Sequence, residues 1–219
     1  MRTILSLVMV VLFSVASFAQ ESFKFNDNSN VEREVVTSVN KSGKAIVEIF
    51  SEDFEGYATG ADLNGEVWTT YDQDGDGNNW FVFATETTNV ATSASWADGD
   101  ALTPENWLVS PAIDLTEYTA DIALDWTVFG QDPDWAREHY KVVVSTTDNA
   151  VESFIDDNIV YEETLPGSAV YERSVDLTAY AGEIIYIAFV HYDITDMFRI
   201  NLDNILVSAD DGQVGVSTN

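Results

Sequence analysis

From about residue 45 onward, apolar and polar residues alternate in short runs separated by turn-like clusters. Ile122, Leu124, Trp126 and Val128 are spaced by Ala123, Asp125 and Thr127, the period of two expected of a strand with one face in a core. Tyr140, Val142 and Val144 repeat the pattern within a strand from His139 to Ser145. Ala45 to Phe50 is rich in β-formers and runs into Ser51-Glu52-Asp53-Phe54-Glu55-Gly56. Asn106 to Ser110 is a short strand ended by Pro111, which has no N–H to give a ladder. Ile159 to Tyr161 and Val170 to Val175 are shorter strands, and Ile184 to Val190 is apolar on both faces, which places it centrally in a sheet. The last strand covers Phe198 to Val207. Phe198, Ile200 and Leu202 share one face, whereas Ile205 and Val207 have the other parity, so a bulge or bend is expected at Asp203-Asn204. No segment carries a long amphipathic helical pattern. About ten short strands predict an all-β fold, an antiparallel β-sandwich forming a single domain over residues 46–209.

The ends differ from this middle. Residues 1–19 contain Arg2, an apolar run from Ile4 to Phe13, and Ser17-Phe18-Ala19, the three parts of a secretory signal peptide. That run is too short to span a bilayer, and no later stretch is long enough, so no membrane insertion is expected. Residues 20–45 form a polar leader or linker, and residues 210–219 an acidic, then small and polar C-terminal linker. The expected location is outside the cell, either secreted or at the cell surface.

With no cysteine among 219 residues, an exported domain must stand on its core, on bound metal, or on both. An apolar fraction of 46%, including 12% aromatics, supplies the core. Nine basic residues against 38 acidic ones give a net charge of −29, with no Lys or Arg between Lys44 and Arg137. Phosphate binding needs a basic surface, so nucleic acid is excluded as a partner, and an anionic bilayer is disfavoured on the same ground. Such a surface keeps an exported protein soluble, and it also invites divalent cations wherever carboxylates converge.

They converge most clearly in Asp72-Gln73-Asp74-Gly75-Asp76-Gly77-Asn78-Asn79-Trp80. Asp72, Asp74 and Asp76 have the spacing of positions 1, 3 and 5 of an EF-hand calcium loop. Position 12 would be a bidentate Glu and is Phe83, and the sequence on both sides reads as strand. The expectation is a calcium-type loop on a β-protein, completed by ligands from elsewhere. Hard oxygen donors favour Ca2+ over zinc or copper, and His139 and His191 are too few for a usual zinc site. His139, between Glu138 and Tyr140, reads as a packed and hydrogen-bonded side chain. Catalytic residues are not expected: neither Gly-x-Ser-x-Gly nor a Glu-x-Asp-x-Glu strand array occurs. Trp68, Trp96, Trp107, Trp126 and Trp135 would be sugar-stacking platforms if exposed. Trp80 and Trp126 fall in the strand pattern and read as core, while Trp96 and Trp135 sit in loop-like acidic stretches.

Several motifs occur in a fixed order: Glu52-Asp53-Phe54-Glu55, the Asp72 to Trp80 loop, Thr103 to Leu115 with Asn106-Trp107-Leu108-Val109-Ser110-Pro111 inside it, Gln131-Asp132, Glu138-His139-Tyr140, and His191 to Ile205. In this combination the chain resembles the cleaved adhesin domain family, the haemagglutinin/adhesin modules of gingipain-type proteases, close to the choice-of-anchor J and MAM-like jelly rolls. The resemblance implies a jelly-roll sandwich with structural calcium and no catalysis, exported from a Bacteroidetes-type bacterium. It also implies that the first strand and the last lie side by side, with Glu52 and Asp203 as partner carboxylates for a second calcium. Otherwise Glu52 is an edge-strand surface residue and Asp203 stabilises the turn at the bulge, while Asp132 and Asp134 are solvated loop residues. The expected function is a secreted, calcium-stabilised, non-catalytic adhesin-like module that binds extracellular protein or glycan. The alternative is a carbohydrate-binding or glycan-processing jelly roll.

Overall fold

The computed structural model of the chain describes residues 44–65 and 67–214. In chain order its strands are β1 (Lys44–Glu52), β2 (Thr69–Asp72), β3 (Phe81–Ala84), β4 (Asn89–Ala94), β5 (Trp96–Ala97), β6 (Asp100–Ala101) and β7 (Asn106–Val109). They continue with β8 (Ile113–Asp114), β9 (Ala123–Gly130), β10 (His139–Ser145), β11 (Ile159–Thr164), β12 (Tyr171–Asp176), β13 (Ile184–His191) and β14 (Arg199–Val214). Among the described residues the helical turns are short 3-10 segments at Val151–Ser153, Asp156–Asn158 and Thr178–Tyr180. The signal-peptide reading of residues 1–19, nearly all of the leader, and residues 215–219 lie outside the described residues.

Two six-stranded antiparallel sheets face each other. The first runs β12-β9-β14-β4-β3 with β1 also on β14; the second runs β11-β10-β13-β7-β2 with β8 also on β13. This is the all-β, antiparallel jelly-roll sandwich expected from the alternation. Leu124, Trp126 and Val128 of β9 face Tyr140, Val142 and Val144 of β10 through one shared core, and β13 is central in its sheet as its two apolar faces require. The phase change in β14 is real. Its register against β9 shifts between Asp203 and Leu206, Asn204 takes a positive φ of 50°, and beyond it Ile205, Val207 and Ala209 turn to the core. Strand β14 continues past residue 209 because β1 pairs with it as far as Lys44 opposite Val214, so residues 210–214 are strand and not linker.

Two networks join polar groups buried between the sheets. The Trp126 indole N–H donates to the Tyr140 hydroxyl at 3.0 Å, which donates to Glu163 at 2.9 Å. Glu163 in turn takes a two-point contact from Arg173, at 2.8 and 3.0 Å, which clasps edge strand β11 to edge strand β12. Burial, then the Glu163 charge, drives the Tyr140 phenol far above its usual range. At the other network His191 is wholly buried, with Nδ1 2.9 Å from Ser93 Oγ and Nε2 3.0 Å from Glu138 Oε2. Glu138 Oε1 also accepts from Ser95 Oγ at 2.9 Å and from the Phe198 N–H at 2.8 Å, tying the loop before β10 to both sheets.

Candidate functional site

The Asp72 to Trp80 loop leaves the second sheet at the end of β2 and enters the first at β3. Both of its ends are fixed. Trp80 is buried and its indole N–H donates to the Asn106 carbonyl at 3.0 Å; the Gln73 N–H donates to the Glu105 carbonyl at 3.0 Å. Between these anchors Gly75 and Gly77 adopt φ of 72° and 84°, which side-chain-bearing residues avoid. Their N–H groups donate to the two carboxylate oxygens of Asp72, at 2.7 and 2.9 Å, and the Asn78 N–H donates to Asp76 at 2.6 Å.

Folded in this way, Asp72, Asp74 and Asp76 each bring a carboxylate oxygen within 4.8 Å of the others. Burial works against the Asp72 charge, but hydrogen bonds from Asp74 and from the backbone outweigh it and hold this carboxyl below its usual range. Asp74 goes the other way. Burial first, then its bond to Asp72 and the charges of Asp76 and Asp72, push it up to about 6. A crowded oxygen set that retains a proton so readily is one that a divalent cation would relieve. The donors, all hard oxygens on a tight loop, suit Ca2+.

Neither Glu52 nor Asp203 joins that group. Asp203 is buried at the β14 bulge, where Oδ1 accepts the Asn204 N–H at 2.7 Å. The Thr88 hydroxyl lies 3.1 Å from Asp203 Oδ2 and 2.6 Å from Glu55 Oε1, and the Asn89 N–H donates to the same Glu55 oxygen at 3.0 Å. Burial chiefly raises the Asp203 carboxyl to about 6; the hydrogen bonds oppose this, and the Glu55 and Asp53 charges add to it. Acid side chains therefore gather, less closely, where the chain leaves β1, reaches β4 and bulges in β14; among the described residues Asp72, Asp74 and Asp76 are the group whose oxygens all lie within 4.8 Å of one another. The acid side chains that stand with Asp203 are Asp53 and Glu55. Glu52 faces elsewhere: its oxygens accept the Phe54 N–H at 2.8 Å, the Trp68 indole N–H at 3.0 Å and the Tyr57 hydroxyl at 3.4 Å. Strand β1 ends at Glu52, and a turn at Phe54, whose φ is 56°, separates Glu52 from Glu55.

The tryptophans sort by burial. Trp68, Trp80, Trp107 and Trp126 are interior. Trp96 is partly exposed against Phe198, with ring centroids 6.1 Å apart, and Trp135 is half exposed. Asp134 is exposed and its N–H donates to Asp132 Oδ1 at 2.8 Å, the local turn of a solvated loop. His139 contacts Thr164 Oγ1 at 2.8 Å and packs on the Tyr192 ring. The Ser93–His191–Glu138 chain has the residue types of a hydrolytic triad, but each member is wholly buried, so no substrate reaches Ser93 in this conformation.

These features define an antiparallel jelly-roll module with carboxylate clusters at its loops. A family model, the Cleaved Adhesin Domain, matches residues 51–207, and the chain belongs to that family. Hemagglutinin A of Porphyromonas gingivalis (strain ATCC BAA-308 / W83) is 36% identical over 169 residues, covering 65% of this chain and 8% of that protein. Lys-gingipain of P. gingivalis (strain ATCC 33277) is 31% identical over 187 residues, covering 74% of this chain and 10% of that protein. The K1 cleaved adhesin domain of Lys-gingipain from P. gingivalis W83, solved by crystallography, aligns with a TM-score of 0.61 at 32% identity over 74% of this chain and 98% of that one. The K3 domain gives 0.61 at 31% identity over 75% and 99%. The chain thus spans one domain's length of those structures and 10% or less of these curated relatives. Among the described residues no helix is long and apolar enough to cross a membrane.

Proposed function

We propose that this domain is a calcium-stabilised, non-catalytic adhesin-like binding module that works outside the cell on an extracellular protein or glycan. The observation that carries the calcium half of this reading is the convergence of Asp72, Asp74 and Asp76 on a loop whose ends are pinned by Trp80 and Gln73. Asp72, Asp74 and Asp76 would hold one ion; Asp203, Asp53 and Glu55 would hold a second. Bound there, calcium supplies positive charge that joins loops of a sandwich without disulfides. The extracellular half is supported by the signal-peptide pattern of residues 1–19 and by similarity to the adhesin domains of Lys-gingipain.

Thermal melts test the metal. Calcium at about a hundred times its dissociation constant adds about 2.7 kcal/mol to the folded state by mass action. For a domain of this size that raises Tm by about 5–10 °C over the chelated protein. Asp74→Ala should remove the loop's share of the shift. Coincident melts in EDTA and in excess calcium would overturn the assignment.

A further inference from the structure

On the first sheet, Phe129, Asn201, Thr92 and Phe81 stand in one row across β9, β14, β4 and β3. The next row, Val128, Leu202, Ala91 and Val82, belongs to the core, so the first row lies on the face turned away from it. Arg199 and Phe83 share that outer face, each two residues from a member of the row. Gln131 does too, and its N–H donates to the Arg199 carbonyl at 2.9 Å.

Arg199 is an anomaly here. The rings of Phe198, Phe81 and Phe83 frame its guanidinium, with centroids 5.0, 5.6 and 5.8 Å from Cζ. Its Nε is buried and has no acceptor. Arg173 meets Glu163 and Lys141 meets Asp156, but Arg199 forms no ion pair among the described residues. Burial lowers its affinity for a proton, and the charge of Asp98 on the β5–β6 turn offsets this only in part. Two buried acceptors on the same face, Gln131 Oε1 and Asn201 Oδ1, also have no partner. In a chain of net charge −29, a cation held among aromatic rings with no carboxylate in ion-pair contact among the described residues is open to an anion from outside.

We propose that this outer face binds an acidic sugar, with its carboxylate on the Arg199 guanidinium and its ring against Phe81 and Phe83. A planar carboxylate matches the guanidinium fork at two points. The apolar C–H face of a pyranose suits the phenylalanine rings, which remain partly exposed. Gln131 Oε1, on a side chain that is itself partly exposed, calls for donors close to that carboxylate. Sugar hydroxyls, or water they carry, supply such donors, whereas a peptide carboxylate brings few. The strong negative charge of the chain favours a ligand with one isolated carboxylate over a polyanion.

The proposal rests on the reading of the chain as a binding module. Its test is an NMR titration of the calcium-loaded domain with methyl β-glucuronide and 3′-sialyllactose, against methyl β-glucoside and lactose. The acidic sugars should shift the Arg199 Nε–H resonance and bind about tenfold or more tighter than their neutral counterparts. Arg199→Gln should lose that advantage, and Phe83→Ala should weaken binding of the acidic sugars. The resonance shift is read on the unaltered domain, so it decides the matter even if a variant fails to fold. The proposal is overturned if neutral sugars bind as well, if Arg199→Gln binds as the parent does, if hippurate matches the sugars, or if the acidic sugars do not bind. A glycan or protein that binds elsewhere, insensitive to Arg199→Gln, sinks this site and leaves the module reading intact. Silence across a glycan array and an extracellular-protein screen sinks both.

Discussion

Single positions carry consequences that their residue type alone does not announce. Gly130 has an ordinary backbone, so conformational freedom is not its reason; a Cβ there would overlap the carbonyl oxygen, Cα and Cβ of Ala136. Gly130→Ala should therefore cost about 1–3 kcal/mol, as overpacking does, and more if the loop before β10 cannot yield. A urea titration with an unchanged m-value measures it, and an unaltered midpoint would show that Ala136 moves away freely. The sequence could not show this, because the clash depends on a loop folding back across a strand end. The acidic residues were more legible. Asp72, Asp74 and Asp76 share a local turn, and local spacing is what sequence displays. Glu52 and Glu55 are separated by the turn at Phe54, where φ is 56°, and by a partner strand about 150 residues away, as the Asp203 contacts show. Glu52 thus holds the Phe54 to Tyr57 turn and the Trp68 indole, while Glu55 reaches the Asp203 cluster.

At the scale of elements, alternation identified the strands that contribute large side chains to the core, including β9, β10 and β13. It passed over β4, Asn89–Ala94, whose small residues Ala91, Thr92, Ser93 and Ala94 carry little hydrophobic contrast although all are buried. That strand is specified by its neighbours β14 and β3 and not by its own pattern. The bulge in β14 was visible because a phase change is a property of one segment, whereas the cross-sheet networks were not. The Glu163–Arg173 clasp joins the two edge strands β11 and β12, and its acid also accepts from Tyr140. Glu163→Ala would leave both Arg173 and the Tyr140 hydroxyl without that acceptor in a partly buried setting. The expected loss is about 1.5–3 kcal/mol. Hydrogen exchange should locate it, with faster exchange in β11 and β12 than in β13; uniform acceleration across both sheets would show that the clasp is not local.

At the scale of the molecule, a chain with this excess of acid and no disulfide balances its charge through solvent, protons or metal, and pH separates the last two. Asp74 and Asp203 are each raised to about 6 in the metal-free fold, against about 4 in an unfolded chain. Between those values the folded state holds more protons than the unfolded one, so stability falls as pH rises through the window. The stability these groups contribute is fully present below about pH 4 and is lost above about pH 6. Asp114, Asp148, Asp176 and Glu162 are lowered and act with the opposite sign: their contribution is present above the usual carboxylate range and is lost as pH falls through their folded values. The chelated protein should accordingly be most stable in mild acid and melt at lower temperature near neutrality. Calcium competes with the protons on Asp74 and Asp203, so its increment in Tm should be largest above about pH 6 and shrink steadily toward about pH 4. Paired melts across that range, with EDTA and with excess calcium, give the increment directly. An increment that stays constant from acid to neutral pH would mean that calcium binds groups already ionised in both states, and the two raised carboxylates would then be excluded as its ligands.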